Sequence, residues 1–482
     1  MGQAKRRATA REQDHNLSKP LKRARFDLYA IGTRRPEAAY MSSELSWWAS
    51  LDENLIGMVA QDTTDNDFLW MVLARDQCGR FRCCDLKHSL RSQRYAEVGL
   101  RDRIAEVVRA GDVESFGIQG DEPEEAVSLL QHPINTDPET LHPYFRLLLE
   151  APARAPGRAV IREIGPWLMP SDPHLASEFR TKGFDQRLWE IYLWAAFREF
   201  NLQVHQLEAP DFLCEGVGHR FAVEATTVAP STAGVLAEHP HPKGADEIKS
   251  FIDDYMAMKF GSPLTAKLKK ENAQGLRYWQ RPESIDMPFL IAIADFHKPA
   301  DQNELGSMTY TQGALWQYLY GSRVEWELED GLLILKPEAI TRHKYKTKTI
   351  PSGFFDQPDA ENVSAVIFSN AGTLAKFDRM GVVAGFGAPG HLYQRIGFRY
   401  NPDPNATMGL PFSDDVSDPQ YEEYWTQEIQ VFHNPNALNP LPLDALAGAT
   451  HHEFKDGVLH STTPSDAILS SYTMLVEVKN ES

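Results

Sequence analysis

The sequence predicts an α/β (α+β) protein with a mixed-sheet core, a small β-meander-plus-helix domain before it, and an irregular cap after it. Three observations carry this. From Phe184 onward, helical and strand periodicities alternate. Met287–Asp295 is a nearly continuous apolar run, as a central strand covered on both faces requires. Upstream, Ile56–Val59, Phe68–Ala74 and Phe81–Asp85 read as short strands broken by turn formers, and they lead into an amphipathic helix. With 482 residues, 42% of them apolar and 24% charged, the chain has the length for several domains and an ordinary globular composition. Disulfide scaffolds, collagen-like chains and wholesale disorder are excluded.

In chain order, residues 1–35 read as a basic, disordered arm. Lys5, Arg6, Arg7, Arg11, Lys19, Lys22, Arg23 and Arg25 face only Glu12 and Asp14 up to residue 26, in a chain whose net charge is −18. A basic arm on an acidic body suits contact with phosphates, so Lys5, Arg6, Arg7, Lys22, Arg23 and Arg25 are candidate nucleic-acid contacts. Residues 36–135 form the β-rich domain, closed by a helix over Tyr95–Ala110 with Val98, Leu100, Ile104, Val107 and Val108 on one face. Trp47 and Trp48 read as core. Eight prolines between Pro133 and Pro173 make 136–180 a connector with one short helix near Tyr144–Leu149. The core spans 181–380, and 381–482, dense in Pro, Asn and Asp, reads as an irregular region packed on it. No apolar run reaches the ~18 residues of a membrane span. Nor does the N-terminus lead into the apolar stretch of a secretory signal, so a cytoplasmic protein is expected.

The stretch Phe184–Val228 carries the chemistry. Phe184–Phe197 is strongly helical in pattern, with Glu190 a central acid among apolar and aromatic neighbours. Leu202–Leu207 reads as a strand. A hairpin follows, from Pro210-Asp211 through Glu215-Gly216-Val217-Gly218 and back along Arg220–Val228. Alternation puts Phe221, Val223, Ala225 and Thr227 on one face of the returning strand, and Ala222, Glu224 and Thr226 on the other. Two carboxylates on adjacent strands repel unless neutralised, and a hard divalent cation with oxygen ligands does this.

Glu190, Pro210-Asp211 and Glu224-Ala225-Thr226, in the order helix, strand, hairpin, strand, resemble the PD-(D/E)XK nuclease superfamily, the restriction-endonuclease-like fold. The likeness covers residues 180–300 and extends toward 375. It implies that Asp211 and Glu224 hold Mg²⁺ or Mn²⁺ together with the Ala225 carbonyl, and that Glu190 assists. The family's lysine two positions after the acid is here Thr226, a hydroxyl that is neither cation nor base. Some members move that lysine to the next helix, where Lys267 is the first candidate and Lys270 the second. A helix capped by Ser262 with Pro263 in its first turn would place Lys267 and Glu271 on one face, as it does Leu264 and Leu268. The resemblance further implies a restriction-endonuclease-like core hydrolysing nucleic acid, DNA ahead of RNA, in a bacterial defence setting. The whole chain is also similar to long bacterial proteins with the same three-part layout.

Two alternatives stand beside this. In one, the fold is a catalytically inactive scaffold for nucleic acid or a protein partner. In the other, a metal hydrolase is built on His451 and His452. His451-His452-Glu453 and His239-Pro240-His241 are metal handles in composition, but neither has the H-E-x-x-H spacing, so surface histidines are expected. Cys78, Cys83, Cys84 and His88 lack the paired knuckles of a zinc site and read as packed, reduced thiols. Gly385–Gly390 matches G-x-G-x-x-G but is followed by a strand pattern, so it reads as a loop. Lys344–Lys348 is a basic run around Tyr345 that reads as a loop able to touch phosphates.

Overall fold

The computed structural model describes residues 16–122, 128–131, 137–168, 174–298 and 311–478; Lys5, Arg6 and Arg7 lie outside them. Strands β1 (Ser18–Pro20), β2 (Ser42–Ser50), β3 (Leu55–Asp62), β4 (Phe68–Arg75) and β5 (Phe81–Leu90) form an antiparallel sheet in sequential order. Helix α1 (Arg23–Tyr29) precedes β2, as does α2 (Pro36–Met41). Helix α3 (Gln93–Ala110) starts where Ser92 accepts from the Tyr95 amide and stops at Gly111, whose φ of 75° suits glycine. Leu100, Ile104 and Val107 pack on Leu55, Val59, Trp70 and Val72 on one face of the sheet. Phe26 and Tyr29 of α1 pack on Ile56, Met58 and Leu73 on the other.

The meander and its helix are as expected; the arm is not, from residue 16 on. Leu21, Phe26, Leu28 and Tyr29 are buried, because an apolar residue every three or four positions gives α1 a core-facing stripe. The charge of this segment is spent on the fold as well. Arg25 donates to Glu53 at 2.9 and 3.0 Å, and Lys19 meets the same carboxylate at 2.8 Å. Trp47 and Trp48 are half-buried on opposite faces of β2, one beside each apolar cluster.

The expected connector is helical. After α4 (Val113–Phe116) come α5 (Pro143–Glu150), α6 (Ala155–Ile164), α7 (Leu175–Arg180) and α8 (Phe184–Glu199). Pro143 and Pro156 sit in first turns, where their missing N–H costs nothing. Phe145, Leu148, Val160, Ile161, Ile164 and Phe179 share one buried cluster with α8. These prolines start helices that belong to the core.

The core sheet takes strands β6 (Gln203–Gln206), β7 (Phe212–Gly216) and β8 (His219–Val228). Helix α9 (Ala245–Ser250), a π-helical turn over Phe251–Met256 and α10 (Ala257–Lys269) lead to β9 (Phe289–Asp295). Helix α11 (Gln312–Tyr320) follows, then two hairpins, β10 (Ser322–Glu329) with β11 (Leu332–Ala339) and β12 (Arg342–Tyr345) with β13 (Lys348–Pro351). The chain continues through β14 (Ala365–Phe368), α12 (Leu374–Val383), β15 (His391–Arg399), β16 (Leu410–Asp415), β17 (Gln430–His433), β18 (Thr450–Lys455), β19 (Val458–Thr462) and β20 (Ile468–Glu477). The eight-stranded sheet runs β19-β18-β17-β14-β9-β8-β7-β6. It is mixed: β8–β9, β9–β14 and β17–β18 are parallel, the rest antiparallel. Helices α8 and α12 cover one face; α10 and α11 cover the other. The protein is therefore a mixed α/β structure, with β9 central and wholly buried as its composition requires.

Two expectations are corrected here. The C-terminal region is not an irregular cap: β17, β18 and β19 extend the core sheet past residue 380, and β16-β15-β20 forms a separate sheet. A buried ionic network fastens this region, with Glu423 accepting from Lys376 at 2.8 Å and from Arg379 at 2.8–3.1 Å. Arg395 donates to Glu428 at 2.7 Å. Such a core leaves little hydrophobic signal. Second, α10 does not begin at Ser262. Pro263 lies inside it, because burying Ala257, Met258 and Phe260 outweighs the roughly 3 kcal/mol cost of an internal proline. Among the described residues no helix is long and apolar enough to cross a membrane.

Candidate metal and catalytic site

The β7–β8 hairpin pairs Phe212 with Val223 and closes at Gly216 opposite His219. Asp211 stands one residue before β7, tied by its carbonyl accepting from the Leu207 amide at 3.1 Å. Its Oδ2 accepts from the Ala225 amide at 2.7 Å. In extended backbone a residue's N–H and C=O point the same way, so the Ala225 carbonyl also turns toward Asp211. Strand alternation divides β8 as expected. Phe221, Val223 and Ala225 join the α8 side of the core, and Ala222 and Val228 join the α10 side.

Glu224 faces α10. Its Oε1 is ion-paired to Lys267 and accepts from Tyr278 Oη at 2.6 Å. Its Oε2 is buried without a hydrogen-bond partner. Glu190, from α8, is held from its own helix: Gln186 Nε2 donates to Oε1 at 2.8 Å and Arg187 Nη1 to Oε2 at 2.7 Å. Thr227 Oγ1 donates to Gln186 at 3.2 Å, joining α8 to β8.

The three carboxyl groups feel one another. Burial first, then the charges of Glu224 and Glu190, pushes the Asp211 proton affinity well above the usual carboxylate range against the pull of Lys267. Burial likewise raises Glu190, with Arg187 opposing and Glu224 adding to the rise. Asp211 remains half-buried, so the cluster is open to solvent on its side.

The structure thus brings Glu190, Asp211, Glu224, Ala225 and Lys267 together. Thr226 is buried and adds no charge. Lys270 is exposed at the end of α10, with its Nζ 5.7 Å from the Tyr278 ring centre and not on Glu224. Lys22 and Arg23 are exposed beside the N-terminal sheet, whereas Arg25 is committed to Glu53. Lys22 and Arg23 line a cleft of about 1410 Å³, together with Arg34, Arg82 and Arg198, that contains none of the three carboxylates. Histidines 451 and 452 are buried, correcting the surface expectation: His451 meets His433 at 2.9 Å, and His452 meets Ser461 at 2.7 Å and Gln430 at 3.1 Å. Both sit on β18 inside the sheet, where pairing with neighbours answers their polarity. The Gly385–Gly390 segment is a loop before β15, and the Lys344–Lys348 run forms the tight β12–β13 hairpin. Cys78, Cys83 and Cys84 are half-buried and in no disulfide. Asp62, Asp65 and Asp67 bring carboxylate oxygens within 4.8 Å of one another on the β3–β4 turn.

Sequence reasoning missed Tyr278, Gln186 and Arg187. The last two lie four and three residues before Glu190, a spacing that places them beside it on a helix. Tyr278 reaches Glu224 from a short 3₁₀ turn 54 residues away, and no local pattern announces that. Comparison with protein-family models, curated proteins and solved structures finds no match to this chain.

Proposed function

We propose that the protein is a metal-dependent phosphodiesterase acting on nucleic acid, DNA ahead of RNA, with a restriction-endonuclease-like core. One observation carries the reading: Glu190, Asp211, Glu224 and Lys267, from four separate segments, converge where β7 begins beside β8, with Asp211 half-exposed. The donor set fits Mg²⁺ or Mn²⁺. Asp211 and Glu190, whose proton affinities rise partly through the charge of Glu224, call for a cation beside them, all donors are hard oxygens, and Glu224 Oε2 is a buried acceptor without a partner. Asp211, Glu224 and the Ala225 carbonyl would hold that ion, which supplies a more acidic bound water and charge neutralisation at the phosphoryl group. Lys267 takes the part of the lysine absent at Thr226: it fixes Glu224 Oε1 and presents a cation where an attacking water would be oriented. Glu190, kept in place by Gln186 and Arg187, holds a proton near the reacting oxygens. The basic residues of the N-terminal segment, Lys5, Arg6, Arg7, Lys22 and Arg23, add affinity that falls with salt.

A second reading is favoured by one observation. Lys267 and Tyr278 already satisfy Glu224 Oε1 without a metal, which suits a catalytically inactive scaffold for nucleic acid or a protein partner. Cleavage separates the two. Single- and double-stranded DNA and RNA are incubated with Mg²⁺ or Mn²⁺ and wild type, Asp211→Asn or Glu224→Gln. Cleavage lost in both variants and with chelator supports the nuclease; cleavage surviving both substitutions, or none on any substrate, rejects it.

A further inference from the structure

Six arginines are buried among the described residues: Arg80, Arg154, Arg198, Arg281, Arg379 and Arg395. Five have their charge answered. Arg80, Arg154, Arg379 and Arg395 pair with Asp76, Asp378, Glu423 and Glu428, and Arg198 donates to backbone carbonyls. Arg281 is the exception. It is 7% exposed, its Nε is buried with no hydrogen-bond partner, and among the described residues no carboxylate pairs with its guanidinium. A buried charge left alone in this way works against folding, which points to a partner from outside the chain.

What Arg281 does touch is the carboxylate site. Its Cζ lies 4.6 Å from the centre of the Tyr278 ring, and the Tyr278 hydroxyl donates to Glu224 Oε1 at 2.6 Å. One tyrosine therefore carries the guanidinium on its ring and the carboxylate on its hydroxyl. The placement is rigid. The Arg281 amide donates to the Tyr278 carbonyl at 3.2 Å, the Ser284 amide to the Arg281 carbonyl at 3.0 Å, and the Tyr278 ring stacks on Phe289 at the start of β9. Lys270 Nζ, on an exposed side chain, lies 5.7 Å from the same ring centre, so the turn borders solvent. Glu224 Oε2 is an acceptor without a donor and Arg281 Nε a donor without an acceptor, and they do not meet each other. A cation at the first and an anion at the second would satisfy both.

We propose that Arg281 binds a phosphate group of the nucleic-acid substrate, on the Tyr278 side of Asp211 and Glu224. The proposal rests on the phosphodiesterase reading and adds to it a substrate-binding residue. The planar fork of a guanidinium matches two phosphate oxygens, which a lysine in its place could meet only as a point charge. An arginine held unpaired at a loss of stability is the mark of a binding group and not of a structural one.

The test uses the full chain in chelator, so that it does not depend on turnover. Thermal melts of wild type and Arg281→Met are recorded with and without inorganic phosphate, and binding of a fluorescent single-stranded oligonucleotide is measured for both. Without phosphate, Arg281→Met should melt at or above wild type, because an unpaired buried charge is gone. Phosphate should raise the melting temperature of wild type more than that of the variant; the general stabilisation by excluded anions is common to both and cancels. Oligonucleotide binding should weaken about 10–100-fold, the effect of one charge-assisted contact. Arg281→Lys keeps the charge and gives a second reading if Arg281→Met does not fold: it should bind phosphate more weakly than wild type. A phosphate shift as large in the variants as in wild type, or wild-type cleavage of nucleic acid with an unchanged KM in Arg281→Met, overturns the proposal and leaves the nuclease reading standing. Phosphate bound through Arg281 by a protein that neither binds the oligonucleotide nor cleaves nucleic acid supports the phosphate contact and rejects nucleic acid as its source.

Discussion

Replacing Lys267 by Met removes the cation paired with Glu224 and keeps the apolar stem of the side chain. The Glu224 side chain is 4% and the Lys267 side chain 21% exposed. Breaking a buried pair costs about 3–5 kcal/mol; with Lys267 one-fifth exposed, about 2–4 kcal/mol is the better expectation. Tyr278 still donates to Glu224 at 2.6 Å, so the carboxylate keeps one partner. At about 2.1 cal/mol/K per residue over a cooperative unit of roughly 300 residues, 3 kcal/mol lowers the melting temperature by about 5 °C. Thermal melts of wild type and Lys267→Met at pH 8 measure this. Equal melting temperatures would refute the reasoning.

Tyr278→Phe removes one hydrogen bond to a charged acceptor, worth about 1.5–3 kcal/mol, and should lower the melting temperature by a few degrees while leaving the fold intact by circular dichroism. Lys270→Ala should move neither stability nor activity by more than the exposed contact of its ammonium with the Tyr278 ring, about 0.5–1 kcal/mol at most. His452 is buried and neutral, its pKa lowered to about 3 by burial and then by His451 and His433. The unfolded chain therefore takes up its proton first, and stability falls as pH drops below about 6.5. By pH 4.5 this amounts to about 2–3 kcal/mol. A melt of His452→Gln across pH 7 to 4.5 should show a shallower acid loss than wild type; an identical slope contradicts the assignment.

Much of the core was legible because its elements satisfy local rules. Strand β9 is apolar up to its last residue, Asp295, as burial on both faces demands. The β7–β8 hairpin has its turn glycines, and alternation put Glu224 and Ala225 on the correct faces. Helix α8 showed its period, so Glu190 could be placed. What escaped depends on distant partners. Strands β17 and β18 are short and begin with polar residues, and they exist because β14 and one another pair with them. The Arg395–Glu428 and Arg379–Glu423 pairs make a buried core of charges that no hydrophobic pattern records. Helix α10 runs through Pro263 against local preference, yet Lys267 kept its face because the helical period continues past the proline. Residues 16–35 were masked by their charge: a basic count hid the apolar stripe of Phe26 and Tyr29.

The claim that Asp211 and Glu224 hold a divalent cation is tested most directly by calorimetric titration with Mn²⁺ in buffers of different ionisation enthalpy. Asp211 and Glu190 have raised proton affinities, so the cation must displace protons. The account predicts binding that releases protons, tightens as pH rises, and is lost in Asp211→Asn. Binding with no proton release, or binding equally strong in Asp211→Asn, would contradict it.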